Sequence, residues 1–155
     1  ELQNPESKSK EISMKVFSYF ACQLIVISLF LPSTAWSQWV QQGSKLLPGG
    51  SIGSTIYHGY SVALSTDGNT AIVGGIGDNA NAGAAWVYTR SGGDVWTLET
   101  KLIGTGAIGN ASQGFSVALS ADGNTAIVGG IGDNTNAGAV WVFTRSGGVW
   151  TQQGN

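Results

Sequence analysis

A segment of about fifty residues occurs twice in this chain, nearly letter for letter. Tyr60-Ser-Val-Ala-Leu-Ser-Thr-Asp-Gly-Asn-Thr-Ala-Ile-Val-Gly-Gly75 returns as Phe115-Ser-Val-Ala-Leu-Ser-Ala-Asp-Gly-Asn-Thr-Ala-Ile-Val-Gly-Gly130, and the stretch around Trp86 returns around Trp141. The offset is 55 at Ser61/Ser116, Asp67/Asp122, Trp86/Trp141 and Arg90/Arg145. A shorter echo precedes both copies, since Trp39-Val-Gln-Gln-Gly43 matches Trp150-Thr-Gln-Gln-Gly154. A fixed period of this length describes an array of supersecondary units, each burying its apolar faces mainly against its neighbours.

Each copy reads as four strands. Residues 60–65 alternate Val62 and Leu64 against Ser61, Ala63 and Ser65, then enter Ser65-Thr-Asp-Gly-Asn69. Ser first, Asp third and Gly fourth suit a type I turn closed by a left-handed Gly, so residues 70–74 return as the second strand of a hairpin. A polar loop, residues 75–83, leads to a third strand at 84–90, with Trp86 and Tyr88 on one face and Ala85, Val87 and Thr89 on the other. A strand apolar on both faces must be covered on both. The fourth strand, residues 95–103, is expected to set Trp96, Leu98 and Leu102 against Thr97, Glu99 and Lys101. Its charges suit an outer edge, where they discourage edge-to-edge pairing.

Four antiparallel strands per period, with middle strands apolar on both faces, define an all-β chain of β-propeller blades rather than a sandwich or a solenoid of shorter repeats. Residues 38–56 are expected to be a partial outer strand and loop, 57–112 a blade, and 113–155 an incomplete blade. In a closed ring, an unattached outer strand at Trp39 could complete the last blade. Two blades cannot close a ring that typically needs about four to eight, so missing blades of the same chain are expected partners.

The segment before the repeats has a different character. From Met14 it reads as one Lys, an apolar run at residues 16–31, and small residues Ala35 and Ser37 before Gln38. That layout predicts a signal peptide at 14–37, with 1–13 as an upstream or non-native segment. The run falls short of the ~20 residues a spanning helix needs. Cys22 would leave with the signal, so no thiol is expected in the mature chain and no membrane span either. A secreted or cell-surface location follows.

After Gln38 there are four basic residues, Lys45, Arg90, Lys101 and Arg145, against six acidic ones. No basic stripe is available to neutralise phosphates, which speaks against nucleic acid.

The pattern Gly114-Phe-Ser-Val-Ala-Leu-Ser120, then Ala126-Ile-Val-Gly-Gly130, then Gly138-Ala-Val-Trp-Val-Phe143 resembles the FG-GAP repeat of integrin-like β-propellers, particularly bacterial secreted forms. The resemblance covers nearly all of residues 39–155. It implies a propeller of roughly seven blades used for extracellular recognition or adhesion. One departure is a turn change, Gly-Ala-Pro becoming Gly74-Gly-Ile76 and Gly129-Gly-Ile131. The other concerns the calcium loop that many relatives carry, because a hard cation needs oxygens at alternate loop positions. Here those positions are Asp78, Ala80 and Ala82, and Asp133, Thr135 and Ala137. No cofactor and no metal site is therefore expected; calcium is left open only through Asn oxygens in another geometry.

Catalysis needs a distinct cluster of proton-exchanging or nucleophilic groups. The mature part has one histidine, His58, in a Tyr57-His-Gly-Tyr60 loop, read as a solvated or packing residue. Asp67 and Asp122 read as acceptors that cap the hairpin turn. Ser65-Thr-Asp-Gly-Asn-Thr70 is similar to the structural box of sialidases, but is one residue short and lacks its Trp. Trp86, Trp96, Trp141 and Trp150 fit inter-blade core better than sugar platforms, and Arg90 and Arg145 fit the role of covering a Trp face. Asn110-Ala-Ser112 fits a glycosylation acceptor.

The remaining candidates are Asp78, Asn79 and Asn81 with Asp133, Asn134 and Asn136, on loops that would share one rim, where rigid scaffolds usually bind. The expected function is a non-catalytic extracellular binding or structural module for a protein or glycan. The alternatives are a propeller scaffold of a secreted sialidase-like hydrolase, with its catalytic residues elsewhere, and a surface adhesin.

Overall fold

The computed structural model describes residues 40–92 and 95–154. The chain divides into residues 1–40 and 41–155, and the fold below is that of the second unit. The expected signal peptide, Cys22 and Trp39 lie outside the described residues. Among those described, no helix is long and apolar enough to cross a membrane.

Eight strands form two antiparallel sheets of four, each in sequence order. The first blade contains β1 (His58–Leu64), β2 (Thr70–Gly75), β3 (Ala84–Ser91) and β4 (Val95–Leu102). The second contains β5 (Gln113–Leu119), β6 (Thr125–Gly130), β7 (Ala139–Ser146) and β8 (Val149–Gln153). These are the propeller-type blades that the repeat predicts. His58 begins β1 instead of lying in a loop before it.

The hairpin turns form as their residues dictate. Gly68 and Gly123 are left-handed, at φ 69° and 70°, and their N–H groups donate to Ser65 and Ser120 carbonyls at 2.9 Å. In the first blade Asp67 Oδ1 accepts from Ser65 Oγ at 2.5 Å and from Asn69 N at 3.0 Å, and Asp122 repeats both bonds. These bonds hold both carboxyls below the usual carboxylate range, the serine hydroxyl being the largest cause.

β3 is covered on both faces, as its double apolar pattern requires. Ala85 and Val87 face the second blade and join Ile72, Leu102, Ala126, Val128, Trp141 and Phe143 in one core. Ala84, Trp86 and Tyr88 face the other way and pack with Val73, Leu46 and Ile56. Full burial of each such large side chain is worth about 1.5–3 kcal/mol.

The fourth strand departs from simple alternation. Tyr88 pairs with Leu98 and Val87 with Thr100, so Glu99 is an unpaired bulge residue that shifts the register. Beyond it Lys101 lies opposite Trp86, and Leu102 turns to the inter-blade core. The expectation that Leu102 shares a face with Trp96 and Leu98 is therefore corrected. One extra residue reverses the facing of everything after it. The bulge also turns Glu99 toward the next blade, where it meets Arg145 Nη1 at 2.8 Å.

The blades are also tied by polar bonds. Asn81 and Ala82 carbonyls accept from Ser112 and Gln113 N–H at 2.9 Å, and Ser61 Oγ donates to Gly114 O at 2.7 Å. A Cβ on Gly74 would stand 2.1 Å from that same carbonyl oxygen, so the approach requires glycine.

Among residues 40–57 no strand forms. The expected outer strand is realised instead as a segment lying along the first blade, because a fourth strand needs a third strand of its own blade to pair with. Its contacts nevertheless copy those of the linker between the blades. Trp86 Nε1 donates to Gly49 O and Trp141 Nε1 to Thr105 O, both at 2.8 Å. Ile56 O accepts from Gly77 N as Ala111 O accepts from Gly132 N, both at 3.0 Å.

Candidate functional site

The start of β1, the end of β2, the start of β3 and the end of β4 meet at one end of the blade. The loops between second and third strands therefore share that end with the linkers. Each contains a four-residue turn, α1 (Asp78–Asn81) or α2 (Asp133–Asn136). Neither is a right-handed helix inside: Asn79, Ala80 and Asn81 have φ of 47°, 54° and 69°, and Asn134, Thr135 and Asn136 repeat this at 45°, 60° and 67°. Asn tolerates the left-handed region better than most residues, which accounts for its two places in each turn; Ala80 and Thr135 carry strain there.

The six expected site residues separate into two sets. Asn79, Asn81, Asn134 and Asn136 stand exposed at the loop tips. Asp78 and Asp133 are buried beneath them. Asp78 Oδ1 accepts from Ile52 N at 2.7 Å, and Asp133 Oδ1 from Ile108 N at 2.6 Å, so both carboxylates pin the segment that crosses under the loop. Sequence reasoning had grouped these aspartates with the rim, whereas their partners lie 26 and 25 residues away along the chain.

Asp78 Oδ2 also lies 2.7 Å from Lys101 Nζ. This contact is an ion pair without hydrogen-bond alignment. The ammonium donates to Gly50 O at 2.9 Å and sits 5.3 Å from the Trp86 ring centre. A carboxylate, a carbonyl and an aromatic face thus enclose one cation. No signal in the alternation of the fourth strand pointed to it, because the Glu99 bulge is what brings Lys101 to that face.

A calcium ion does not fit the first loop. The lysine ammonium already neutralises the one buried carboxylate of the first loop, and Ala80 and Ala82 offer no side-chain oxygen. Among the described residues no three His, Cys, Asp or Glu side chains gather in a way that could hold a metal ion.

The other chemistry-bearing side chains serve packing. His58 is edge-on to Trp86 at 5.2 Å and to Tyr88 at 5.9 Å, and burial lowers its pKa below the ordinary 6.5. The Tyr88 hydroxyl donates to Leu47 O at 2.7 Å and, its hydrogen so committed, accepts from His58 Nε2 at 3.1 Å. Burial pushes that phenol up to about 12. Arg90 covers Trp96 at 5.5 Å and Arg145 covers Trp150 at 5.3 Å, the role expected of them. Trp86 and Trp141 are core residues, while Trp96 and Trp150 are half-buried on the outer strands.

The fold and its repeated loops define a β-propeller-type repeat module. Residues 96–143 match the sequence model of the family described as the FG-GAP repeat, so the chain carries an FG-GAP repeat over that stretch. The matched stretch runs from the outer strand of one blade to the third strand of the next. No curated protein and no solved structure matches the chain.

Proposed function

We propose that this chain is a secreted or cell-surface, non-catalytic binding module that presents its rim loops to an extracellular protein or glycan. The observation that carries this reading is the pair of left-handed loops at one end of the array. Each sets two Asn side chains outward while its Asp is tied down underneath. Amides held on a rigid turn offer both donors and acceptors, and their preorganisation lowers the ordering cost of binding a hydroxyl-rich or peptide surface. Export would depend on residues 14–37, whose basic, apolar and small-residue sequence supports a signal peptide.

Glycan and extracellular-protein arrays would identify a ligand. The quadruple variant Asn79→Gly, Asn81→Gly, Asn134→Gly and Asn136→Gly keeps the positive φ acceptable while removing the amides. Loss of the array signal with an unchanged melting temperature supports the rim; full retention of binding would sink it. A fusion of residues 14–37 to a reporter should direct the reporter out of the cell, and retention inside would remove the extracellular half of the proposal.

A further inference from the structure

The buried aspartates hold out one aliphatic side chain in each repeat. Asp78 Oδ1 accepts from Ile52 N at 2.7 Å, and the Ile52 carbonyl accepts from Asn79 N at 2.8 Å. Asp133 Oδ1 and Asn134 N grip Ile108 at the same two backbone groups, at 2.6 and 3.0 Å. The two side chains are left 56% and 60% exposed. A single exposed isoleucine needs no explanation. The same residue type, held twice in the same two-bond grip beside the same pair of exposed Asn side chains, does. A fixed offset of 55 sets Ile52 against Ala107, so the correspondence follows from the grip and not from the repeat.

This exposure does not depend on what stands at either open face of the array. Ile52, Asn79 and Asn81 have the second blade beside them and remain exposed, and Ile108, Asn134 and Asn136 have the first blade beside them and remain exposed. A neighbour on either side leaves the position uncovered, so further blades extend this surface instead of burying it.

Backbone bonds lace the two stations into one surface. Ile52 O is joined to Asn79 N, Asn81 O to Ser112 N at 2.9 Å, and Ile108 O to Asn134 N, so crossing segment and loop alternate along the rim. The surface is also free of formal charge. Residues 50–57, 76–83, 103–112 and 131–138 contain no Lys, Arg or Glu, and their two Asp are buried. Lys101, which reaches the first loop from β4, is committed to Asp78 and to Gly50 O. Aliphatic side chains, paired amides and depletion of charge are the composition of the core of a protein–protein interface. Each Asn amide matches the donor and the acceptor of a peptide group. An acidic glycan would meet no cation here, and a sugar ring is held best by an aromatic face, whereas the side chain that recurs beside these amides is aliphatic.

We propose that the partner is an extended, uncharged segment of another protein, a step that rests on the rim being the binding face. The segment lies across both loops, with aliphatic side chains against Ile52 and Ile108 and its peptide groups on the Asn amides. Two stations on one array act on a single chain, so engagement of one raises the effective concentration at the other. A charged residue in the segment would lose its water with no counter-charge to receive it.

The test exposes the chain to an array of immobilised random-sequence peptides and, in parallel, to a glycan array, with the melting temperature of each variant as the check on folding. The peptides retained should be uncharged and carry Val, Ile or Leu at alternate positions. The strongest of them, made synthetically, should bind Ile52→Ser or Ile108→Ser roughly tenfold or more weakly than the unaltered chain. Ile52→Val with Ile108→Val should keep most of the binding. Replacing the central aliphatic residue of the synthetic peptide by Asp should abolish it, a result that needs no variant of the protein. Binding lost in the quadruple Asn→Gly chain but kept when both Ile52 and Ile108 are Ser would leave the rim as the binding face and overturn the aliphatic stations. Binding kept in both chains would overturn the rim itself. A peptide array without signal, retained peptides that are charged, or retention of glycans alone would overturn the polypeptide partner.

Discussion

The two blades carry nearly the same sequence yet differ in what they bury. Ile72 is fully buried and Ile127 is 43% exposed, although the residues before and after them are identical. The difference is the neighbour: the first blade's inner face has another blade against it, and the second blade's equivalent face has none among the described residues. Strand formation, turn geometry and capping repeat faithfully because they are set within about ten residues of chain. Burial does not repeat, because it belongs to the pair.

The largest test of this contrast is Trp141→Ala. Trp141 sits in the core shared by both blades, and its loss should cost about 3–5 kcal/mol in chemical denaturation. Trp86→Ala removes the same residue from the face covered by residues 46–56 instead of a blade. An equal cost would mean that this single crossing segment covers a tryptophan as effectively as a whole sheet does.

Gly74→Ala and Gly129→Ala come next. At Gly74 the new methyl meets backbone of the other blade, Gly114 O at 2.1 Å, so roughly 1–3 kcal/mol of strain is expected. At Gly129 it meets Ser116 Oγ, a side chain of its own blade that can rotate away. A smaller loss of melting temperature at Gly129 is expected, and equal losses would show that the close approach between blades is unimportant.

A smaller effect separates Ile72→Val, at about 1 kcal/mol, from Ile127→Val, which should be close to neutral by the same denaturation measurement. If Ile127→Val costs as much, its face is covered in solution.

The smallest expected effect concerns pH. The His58 pKa is lowered in the folded state by burial, so the unfolded chain takes up that proton first as pH falls through about 6.5. Stability should decline below that value until the folded histidine also titrates. His58→Gln should flatten this part of the melting temperature against pH, since Gln occupies the same repeat position at Gln113. An unchanged slope would place the titrating group elsewhere.

Much of this architecture was legible in the residues. Asp67 and Asp122 cap their turns as Ser-x-Asp-Gly predicts, and the double apolar pattern of Ala85 to Tyr88 announced a strand covered on both faces. The rim residues were legible only in part. Asn79, Asn81, Asn134 and Asn136 reach the surface, but Asp78 and Asp133 turn inward to amides that the local sequence does not indicate. Lys101 was placed on the wrong face, since a bulge is invisible to a period-two reading until the partner strand is known.

The sequence by itself determined the repeat, its four strands, its turns and the family, because each rests on contacts close along the chain or on the pattern of one strand. Only the tertiary structure decided which copies of a residue are buried, where the Asp78 and Asp133 carboxylates point, and that Lys101 lies against Asp78 and the Trp86 ring. Those outcomes depend on pairs such as Lys101 with Asp78 and Glu99 with Arg145, 23 and 46 residues apart. Their geometry exists only after one sheet has packed against the next.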